Sequence, residues 1–539
     1  MSRTAEEILE TMNSVLSILG EILSEEEAGF DKINDISLDN NLNEVRIYER
    51  EEEHDISNFE QEILSVLASL ENVRKLKDMD KEYALKKVRF ELIPLVENMR
   101  MDFHYYTWVY NDDERRETYP DSEMKEYFRN PYLEETQRTG KYKYDISIVV
   151  IGYNKLEYTK NCVESLLQHL PKIPTYEIIL LNHGSSDGTK EYFESIKPDK
   201  QLDIAVNGGG SNAVYCIAEG KYILSISNDI IITSNAIDNL YKCIESDKNI
   251  GWVVPTTPNV SNNQSIWAEF SDINGMYTFA EKNNVSDDRR WEERVRLCNP
   301  VDIVLTEGLF RHVFGRDCAS LKGSFPDDKM SLFYRRAGYK LILAKDAYCY
   351  HFGSVTLKEE FKGNGDKIYT KGRIDFLKKF GMDPWGYGFE YDVKLFEKLK
   401  IDKMGEVSIL GINSGLCSNI LKIKEQLKEC ANNRNVWLTS VSFYKMNEKD
   451  MKGICDETII ADDWAFFRKD SNRKYDYILI ENDVDIKCIE NMIEILKWKK
   501  EEGVLLLRVE NQGIVDALSS NYNVQKLIER QDEAWIRVE

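Results

Sequence analysis

The sequence contains no apolar run that approaches the ~20 residues needed to span a bilayer. Its first residues also lack the basic segment and the apolar core of a signal peptide. Basic side chains are in deficit, with 71 lysines and arginines against 94 acidic residues and a formal net charge of -23. Such a surplus of negative charge repels phosphate backbones and anionic membrane surfaces. We therefore expect a soluble, cytoplasmic protein with no membrane insertion and no nucleic acid partner.

Closely spaced cysteines are also missing. The ten cysteines are scattered along the chain, and no Cys-x-x-Cys pair occurs. A disulfide framework or a zinc knuckle would need such spacing, so reduced thiols are expected. The 539 residues are enough for several domains with substantial hydrophobic cores.

Residues 1–140 carry helical signals. Apolar residues recur at alternating spacings of four and three between residues 8 and 22, and again between residues 59 and 73. Each seam is about two heptads long, which is too short for a helix that is stable alone. These helices are expected either to pack on each other in a helical subdomain or to form a docking or dimerisation surface. A third helix is predicted over residues 80–103.

The stretch from Asp145 to Asp229 alternates apolar runs with polar turns and amphipathic segments. The apolar runs cover residues 146–151, 178–181 and 222–226. This order of strand, polar turn and helix predicts a parallel sheet with helices between its strands. Ligands of such sheets bind at the carboxyl ends of the strands, where all three polar turns fall.

These runs and turns resemble family-2 glycosyltransferases of the GT-A fold. The resemblance is carried by SIVVIGYN at 147–154, EIILLNHGSSDGT at 177–189, NGGGSN at 207–212 and SNDI at 227–230. The usual forms in the family are SIVIPTYN, VVDNGSTDGT and a DxD-like NDD or NDI. The resemblance extends from Tyr144 to Thr356. It implies an inverting transferase that moves a sugar from a nucleotide donor to an acceptor hydroxyl.

The resemblance assigns the polar turns to the nucleotide-sugar donor. The residues it implies as donor contacts are Gly152, Tyr153, Asn154, Asn182, Ser185, Asn207, Asn212 and Asn228. The family commonly has a carboxylate at the position of Asn182, which accepts the imide proton of uracil. An amide carbonyl can accept the same proton, although in a weaker bond, because it is uncharged. UDP-N-acetylglucosamine is one donor that the resemblance implies.

Asn228 and Asp229 stand where the family has its metal-binding motif. Asp229 is the only carboxylate in this motif, so another ligand is needed. His351 belongs to a segment that resembles the family's closing vYHxGSxT, and the resemblance implies that its imidazole reaches the metal. This set predicts a divalent cation, Mn2+ or Mg2+, and the imidazole favours Mn2+. The cation would neutralise charge on the leaving diphosphate.

The catalytic base is expected just before residues 331–339. When Ala-Gly-Tyr at 337–339 is aligned with the family, the Pro-Asp-Asp-Lys of 326–329 falls on the family's EDxD. The resemblance then implies Asp327 as the catalytic aspartate, with Asp328 as the alternative. A carboxylate at this point can take the acceptor's proton as the acceptor oxygen attacks the anomeric carbon opposite the diphosphate. Such an attack inverts the anomeric configuration without a covalent intermediate.

Aromatic residues cluster in two places, and each cluster has two interpretations. The stretch 105–132 either stacks on sugar rings or clamps a linker to a domain surface. Three tryptophans between the metal motif and the base either stack on a sugar or peptide acceptor or fill the core; they are Trp252, Trp267 and Trp291.

The alternation of strand and helix restarts after Met404, with apolar runs at 407–412, 475–480 and 503–509. This pattern resembles the Rossmann-like fold of S-adenosylmethionine-dependent methyltransferases. Their first loop usually reads E/D-x-G-x-G-x-G, whereas residues 411–415 keep two glycines and lack the preceding acid. We therefore expect a degenerate domain used for packing or acceptor docking, with an active methyltransferase as the alternative.

The predicted fold class is α/β, with three parts. They are a helical N-terminal region at 1–140, a GT-A glycosyltransferase domain with a Rossmann-like mixed sheet at 141–400, and a degenerate methyltransferase-like Rossmann domain at 401–539. A similar layout occurs in bacterial enzymes that O-glycosylate flagellin on Ser or Thr, so the resemblance implies flagellin as one protein acceptor. The alternatives are a glycan-extending transferase for surface polysaccharide, a bifunctional glycosyltransferase and methyltransferase, and a non-catalytic scaffold.

Overall fold

The structure is a computed structural model. It describes residues 5–25, 29–36, 59–104, 107, 139–205, 211–266, 268–309, 325–353, 365–386, 388–468, 473–482, 494–510, 512–520, 522–530 and 533–538. None of the helices formed by these residues is both long enough and apolar enough to cross a bilayer. The aromatic stretch at 105–132 lies outside the described residues, apart from Thr107.

Helices form the N-terminal part. They are α1 (Ala5–Glu25), α2 (Phe59–Leu76), α3 (Lys81–Lys87) and α4 (Ile93–His104), with a 3-10 helix at Phe30–Asn34 and a π-helical turn at Val88–Leu92. Asp80 caps α3, because its side chain accepts a hydrogen bond from the backbone N–H of Tyr83 at 3.0 Å. The third predicted helix is therefore present, although the π-helical turn interrupts it.

The seams of α1 and α2 are buried. Their apolar residues share one core with a face of the first sheet, which contributes Val149, Ile179 and Leu181. Packing of this kind supplies the stability that short helices lack alone. The expectation that the helices pack together is confirmed, and the seams do not form an exposed docking surface.

The first sheet has eight strands in the order β3-β2-β1-β4-β8-β6-β9-β7. The strands are β1 (Tyr144–Gly152), β2 (Tyr176–His183), β3 (Lys200–Ile204), β4 (Gly220–Ser227), β6 (Ile250–Thr256), β7 (Trp291–Arg294), β8 (Val301–Leu305) and β9 (Lys340–Tyr348). The strands β1 to β4 are parallel to one another, whereas β8 runs antiparallel to β4. The sheet is therefore mixed, as predicted.

Helices cover this sheet, and a small sheet lies beside it. The helices are α5 (Leu156–Gln168), α6 (Thr189–Ile196), α7 (Ala236–Glu245), α8 (Ile273–Asn283), α9 (Pro326–Arg336) and α10 (Gly365–Phe380), with shorter turns at Ser211–Ile217, Asp288–Arg290 and Thr306–Gly308. The small sheet pairs β5 (Ile230–Ile231) with β10 (Tyr350–His351). Gly152 is in register with Asn182 and Ile151 with Ser227, so the three polar turns lie at one edge of the large sheet.

The C-terminal part is a second sheet of seven strands in the order β13-β12-β11-β14-β15-β17-β16. The strands are β11 (Val407–Ile412), β12 (Val436–Ser442), β13 (Glu457–Ile460), β14 (Tyr475–Ile480), β15 (Lys499–Val509), β16 (Val524–Glu529) and β17 (Ala534–Val538). Its helices are α11 (Val393–Lys398), α12 (Ser418–Ala431), α13 (Glu448–Lys452) and α14 (Gln512–Ser519), with 3-10 turns at Lys445–Asn447 and Trp464–Arg468. The predicted second α/β sheet is confirmed.

The helix α9 of the first α/β part also packs against the C-terminal part. At its end, the guanidinium of Arg336 donates to both carboxylate oxygens of the fully buried Asp450, at 3.0 and 2.9 Å. Leu332 of α9 belongs to the core of the C-terminal part. A further ion pair joins Lys422 to Glu292 at 2.8 Å, and both residues are buried. The C-terminal part thus supports the helix on which the predicted base residues lie.

Candidate active site

Asn154 connects the three polar turns. Its backbone N–H donates to the hydroxyl of Ser185 at 2.9 Å, and its Oδ1 accepts from the N–H of Ser186 at 2.9 Å. Its backbone carbonyl accepts a hydrogen bond from Nδ2 of Asn228 at 2.9 Å. The φ of Asn154 is 50°, a left-handed conformation that asparagine adopts more readily than most residues. The structure therefore brings together predicted residues from three separate turns.

Asn182 closes the second turn. Its Oδ1 accepts a hydrogen bond from the backbone N–H of Ser185 at 3.1 Å, and the residue is 3% exposed. The carbonyl predicted to contact the nucleotide base therefore already accepts one hydrogen bond. A carbonyl oxygen has a second lone pair, so the predicted base contact would have to use it.

Gly152 and Tyr153 lie at the end of β1. A Cβ on Gly152 would come within 2.8 Å of Cζ of Phe193, so the close approach of α6 requires glycine. The ring of Tyr153 meets that of His183 edge to face, with centroids 6.5 Å apart. Burial lowers the pKa of His183 to about 4, so this imidazole is neutral at pH 7.

Two more residues were predicted to contact the donor, and the structure describes one of them. Asn207 lies outside the described residues. Asn212 is partly buried in the 3-10 helix Ser211–Ile217.

Asp187 is a residue of this region that sequence reasoning missed. Its Oδ2 accepts from the N–H of Leu156 at 2.8 Å, and its Oδ1 accepts from the hydroxyl of Thr189 at 2.7 Å. Asp187 of the second turn thereby caps α5, the helix that follows the first turn. The available signal was the Asp-Gly-Thr of residues 187–189, because aspartate commonly bonds to backbone groups in turns.

Asp229 and His351 lie together at the small sheet. His351 is in register with Ile230, which places its Nε2 3.3 Å from Oδ2 of Asp229. The two residues are 7% and 8% exposed. Among the described residues they join no group of three or more His, Cys, Asp or Glu. A carboxylate oxygen and an imidazole nitrogen can both coordinate a divalent cation, and such a cation would need further ligands from outside this pair.

Asp327 and Asp328 lie in the first turn of α9, beside Arg296. Asp328 is 2% exposed, and its Oδ1 is 2.7 Å from Nε of Arg296. Burial raises the pKa of Asp328 to about 7 against the opposing charge of Arg296. Asp327 is partly exposed, yet the protein packed around it raises its pKa to about 6, also against Arg296. Asp327 is therefore the more accessible of the two candidate bases.

Asp302 of β8 is a second residue missed from the sequence. Burial, together with the charge of Asp327, raises the pKa of Asp302 well above its usual range. Its Oδ2 accepts a hydrogen bond from Nε1 of Trp252 at 2.9 Å. The raised pKa favours the neutral form of Asp302 beside Asp327. The only signal in the sequence was one acidic residue within the apolar run 301–305.

The tryptophans have structural roles where the structure describes them. Trp252 is fully buried, so it fills the core. The Nε1 of Trp291 donates to both carboxylate oxygens of Asp346 at 2.9 Å. Trp267 lies outside the described residues.

Part of the chain is similar to known proteins. Residues 147–300 match the model of the family described as Glycosyl transferase family 2. A chondroitin synthase of Pasteurella multocida is 30% identical over 138 residues, which are 23% of this chain and 14% of that protein. A poly-beta-1,6-N-acetyl-D-glucosamine synthase of Staphylococcus epidermidis is 28% identical over 134 residues, which are 24% of this chain and 32% of that protein. The chain thus spans well under half the length of both relatives.

A solved structure gives a weaker likeness. The crystal structure of S. aureus TarS 1-349 in complex with UDP-GlcNAc has a TM-score of 0.31 at 16% identity, over 43% of this chain and 66% of that one. A score this low carries no argument about function. The family match ends before Asp327 and His351. The match over residues 147–300 and the mixed sheet agree with the predicted GT-A fold class.

Proposed function

We propose that the protein is an inverting, metal-dependent glycosyltransferase, which moves a sugar from a nucleotide donor to an acceptor hydroxyl. The pairing of Asp229 with His351 at 3.3 Å is the observation that carries this proposal. It lies directly after Asn228, whose side chain is bonded to the first donor turn. A carboxylate and an imidazole next to a turn that binds a nucleotide diphosphate form a site suited to diphosphate departure.

The donor is held by the hydrogen-bonded turns at the ends of β1, β2 and β4. The bonds among Asn154, Ser185 and Asn228 fix these turns before the donor arrives, so less conformational entropy is lost on binding. The neutral His183 places no positive charge there. Asp229 and His351 would hold that metal, which would stabilise the negative charge of the leaving diphosphate.

Asp327 is the proposed base. Because the pKa of Asp327 is about 6, it is largely ionised at pH 7 and still more basic than an ordinary aspartate. These are the properties that a general base needs near neutral pH. Arg296 contacts the neighbouring Asp328 at 2.7 Å, and we assign the role of taking the proton of the acceptor hydroxyl to Asp327, which is the more exposed of the two.

Two acceptor classes fit this chemistry. One is a serine or threonine hydroxyl of a protein such as flagellin, and the other is a hydroxyl of a growing glycan. The names of the relatives, which are synthases of chondroitin and of poly-beta-1,6-N-acetyl-D-glucosamine, support the glycan. UDP-N-acetylglucosamine is the donor we propose to test first. We also propose that the enzyme is cytoplasmic.

Hydrolysis of the donor tests the proposed function without knowledge of the acceptor. Nucleotide sugars that contain uridine, guanosine or thymidine are incubated with the protein, with and without Mn2+. The release of nucleoside diphosphate is then measured. We expect release from at least one donor, and only with the divalent cation. A chain that releases diphosphate from none of these donors would not be a glycosyltransferase of this kind.

We also propose that the C-terminal part does not act as a methyltransferase. Its first loop, at residues 411–415, packs on one side against the chain that connects the two sheets. A Cβ on Gly388 would lie 2.6 Å from the backbone nitrogen of Leu416 and 3.1 Å from Cα of Gly415. Asn413 and Gly415 of the loop also line a cavity of about 840 Å3, so the proposal rests on the glycine and the acid that the loop lacks and not on a lack of space.

S-adenosylmethionine is accordingly expected to bind this protein more weakly than the micromolar range. Titration calorimetry on the full chain measures this affinity, because the heat of binding needs no knowledge of a methyl acceptor. A micromolar dissociation constant would contradict the prediction and support a protein with two activities. Sinefungin, a non-reactive analogue of the same size, is the control for slow turnover.

A further inference from the structure

A groove of about 700 Å3 is lined by residues 384–386 and 388–394 of the chain that connects the two sheets. We call it the linker groove. Its lining includes Arg296, which contacts Asp328 at 2.7 Å and Glu390 at 3.0 Å. Arg508 and Arg530 of the C-terminal part also line it. The groove is therefore lined by a side chain that contacts the residue next to the proposed base.

Trp385 is the largest apolar side chain exposed in the linker groove. It is 52% exposed, although indole rings are usually well buried. Its ring meets that of Phe325 at 5.2 Å, and Phe325 lies two residues before Asp327. The guanidinium of Arg373 lies 5.2 Å from the centre of the Trp385 ring, and Arg373 is itself paired with Asp383. Trp385 is thus a supported aromatic surface, open to solvent and next to the base helix.

The charges that line the linker groove nearly balance. Its cations are Arg296, Lys394, Arg508 and Arg530, and its anions are Glu390, Asp392 and Glu533. Most of them form ion pairs, since Arg530 contacts Asp392 at 2.7 Å and Nε of Arg508 contacts Glu533 at 2.6 Å. An anionic acceptor would have to compete with these carboxylates for the guanidinium groups. A neutral acceptor rich in hydroxyls could bond to both kinds of ion without breaking the pairs.

We propose that the linker groove binds the acceptor, and that the acceptor is a neutral oligosaccharide with one sugar ring stacked on Trp385. This inference rests on the proposed glycosyltransferase function and adds the acceptor class. A sugar ring has an apolar face of C–H groups that covers an aromatic ring, while its hydroxyls point to the polar rim. The connecting chain would then have two roles, because it joins the sheets and presents the acceptor to Asp327.

Binding and transfer with three kinds of acceptor test the proposal. The probes are neutral tetrasaccharides (chitotetraose, cellotetraose and maltotetraose), a sulfated oligosaccharide, and a serine- and threonine-rich peptide. With the full chain, we expect binding and sugar transfer with a neutral tetrasaccharide. Trp385→Ala should raise its KM about tenfold or more with a smaller change in kcat, and Trp385→Phe should recover part of the loss. Tyr83→Ala removes an exposed ring of α3 and is the control for a general effect of losing an aromatic surface.

Three results would overturn the inference. They are a preference for the peptide or the sulfated oligosaccharide, an unchanged KM in Trp385→Ala, and the absence of tetrasaccharide binding by calorimetry. Donor hydrolysis without acceptor is measured in the same preparations. If hydrolysis occurs and one of these results is found, only the acceptor assignment fails, whereas the absence of hydrolysis would remove the proposed function as well.

Discussion

Asp327→Asn is expected to lower the rate of sugar transfer by roughly 10²-fold or more. The amide keeps the shape of the carboxylate and most of its hydrogen bonding but cannot take the acceptor's proton. Donor affinity should stay nearly unchanged, because the proton moves only as the new bond forms. Since the pKa of Asp327 is raised to about 6, the wild-type rate should fall as the pH drops through about 6, where the base becomes protonated. Steady-state rates across this pH range, with donor affinities from calorimetry, measure both effects.

Asp328→Asn is the matched control for this prediction. The Asp328 side chain is buried against Arg296 at 2.7 Å, so its loss should cost the chemical step much less than the loss of Asp327. Weakening a buried ion pair also destabilises the fold, and the thermal unfolding of both variants separates that effect from catalysis. An active Asp327→Asn beside an inactive, folded Asp328→Asn would make Asp328 the base. If both variants remain active, the proton acceptor lies outside this turn.

Asp229→Ala should abolish metal-dependent donor binding, and His351→Ala should weaken it about tenfold or more. Asp229 supplies the only carboxylate of its motif, and His351 supplies the imidazole 3.3 Å away. Titration calorimetry of a nucleoside diphosphate in the presence of Mn2+ measures the affinity directly. His169→Ala is the control for the loss of an imidazole, because His169 packs on Tyr277 at the end of α5. Unchanged affinity in Asp229→Ala would remove this residue from the site.

Much of the region that we propose to bind the donor was predictable, because its sequence signals are local. The apolar run before Gly152 forms a strand from its own residues, and parallel strands bring their polar ends to one edge. The contact of Asp229 with His351 was predicted only through the family resemblance, because two residues so far apart in sequence have no local signal for meeting. Neither the apolar run nor the resemblance predicted that the side-chain carbonyl of Asn182 would accept a hydrogen bond from the N–H of Ser185.

The support of the base helix was not predictable from the sequence. Arg336 of α9 forms an ion pair with Asp450 of the C-terminal part. The residues next to either one in the sequence contain no signal that predicts this pair. The same holds for Lys422 and Glu292. Trp385 belongs to a connecting segment without periodic pattern, so its position next to Phe325 follows only from the way the two sheets pack.

We propose that this chain cleaves a nucleotide sugar by means of a metal held at Asp229. The most direct test measures nucleoside diphosphate release from UDP-N-acetylglucosamine and related donors, with the wild-type chain and Asp229→Ala side by side in Mn2+. The predicted result is release that stops when the cation is chelated and is absent from the variant. Equal release by the two proteins, or release that persists in a chelator, would contradict the claim.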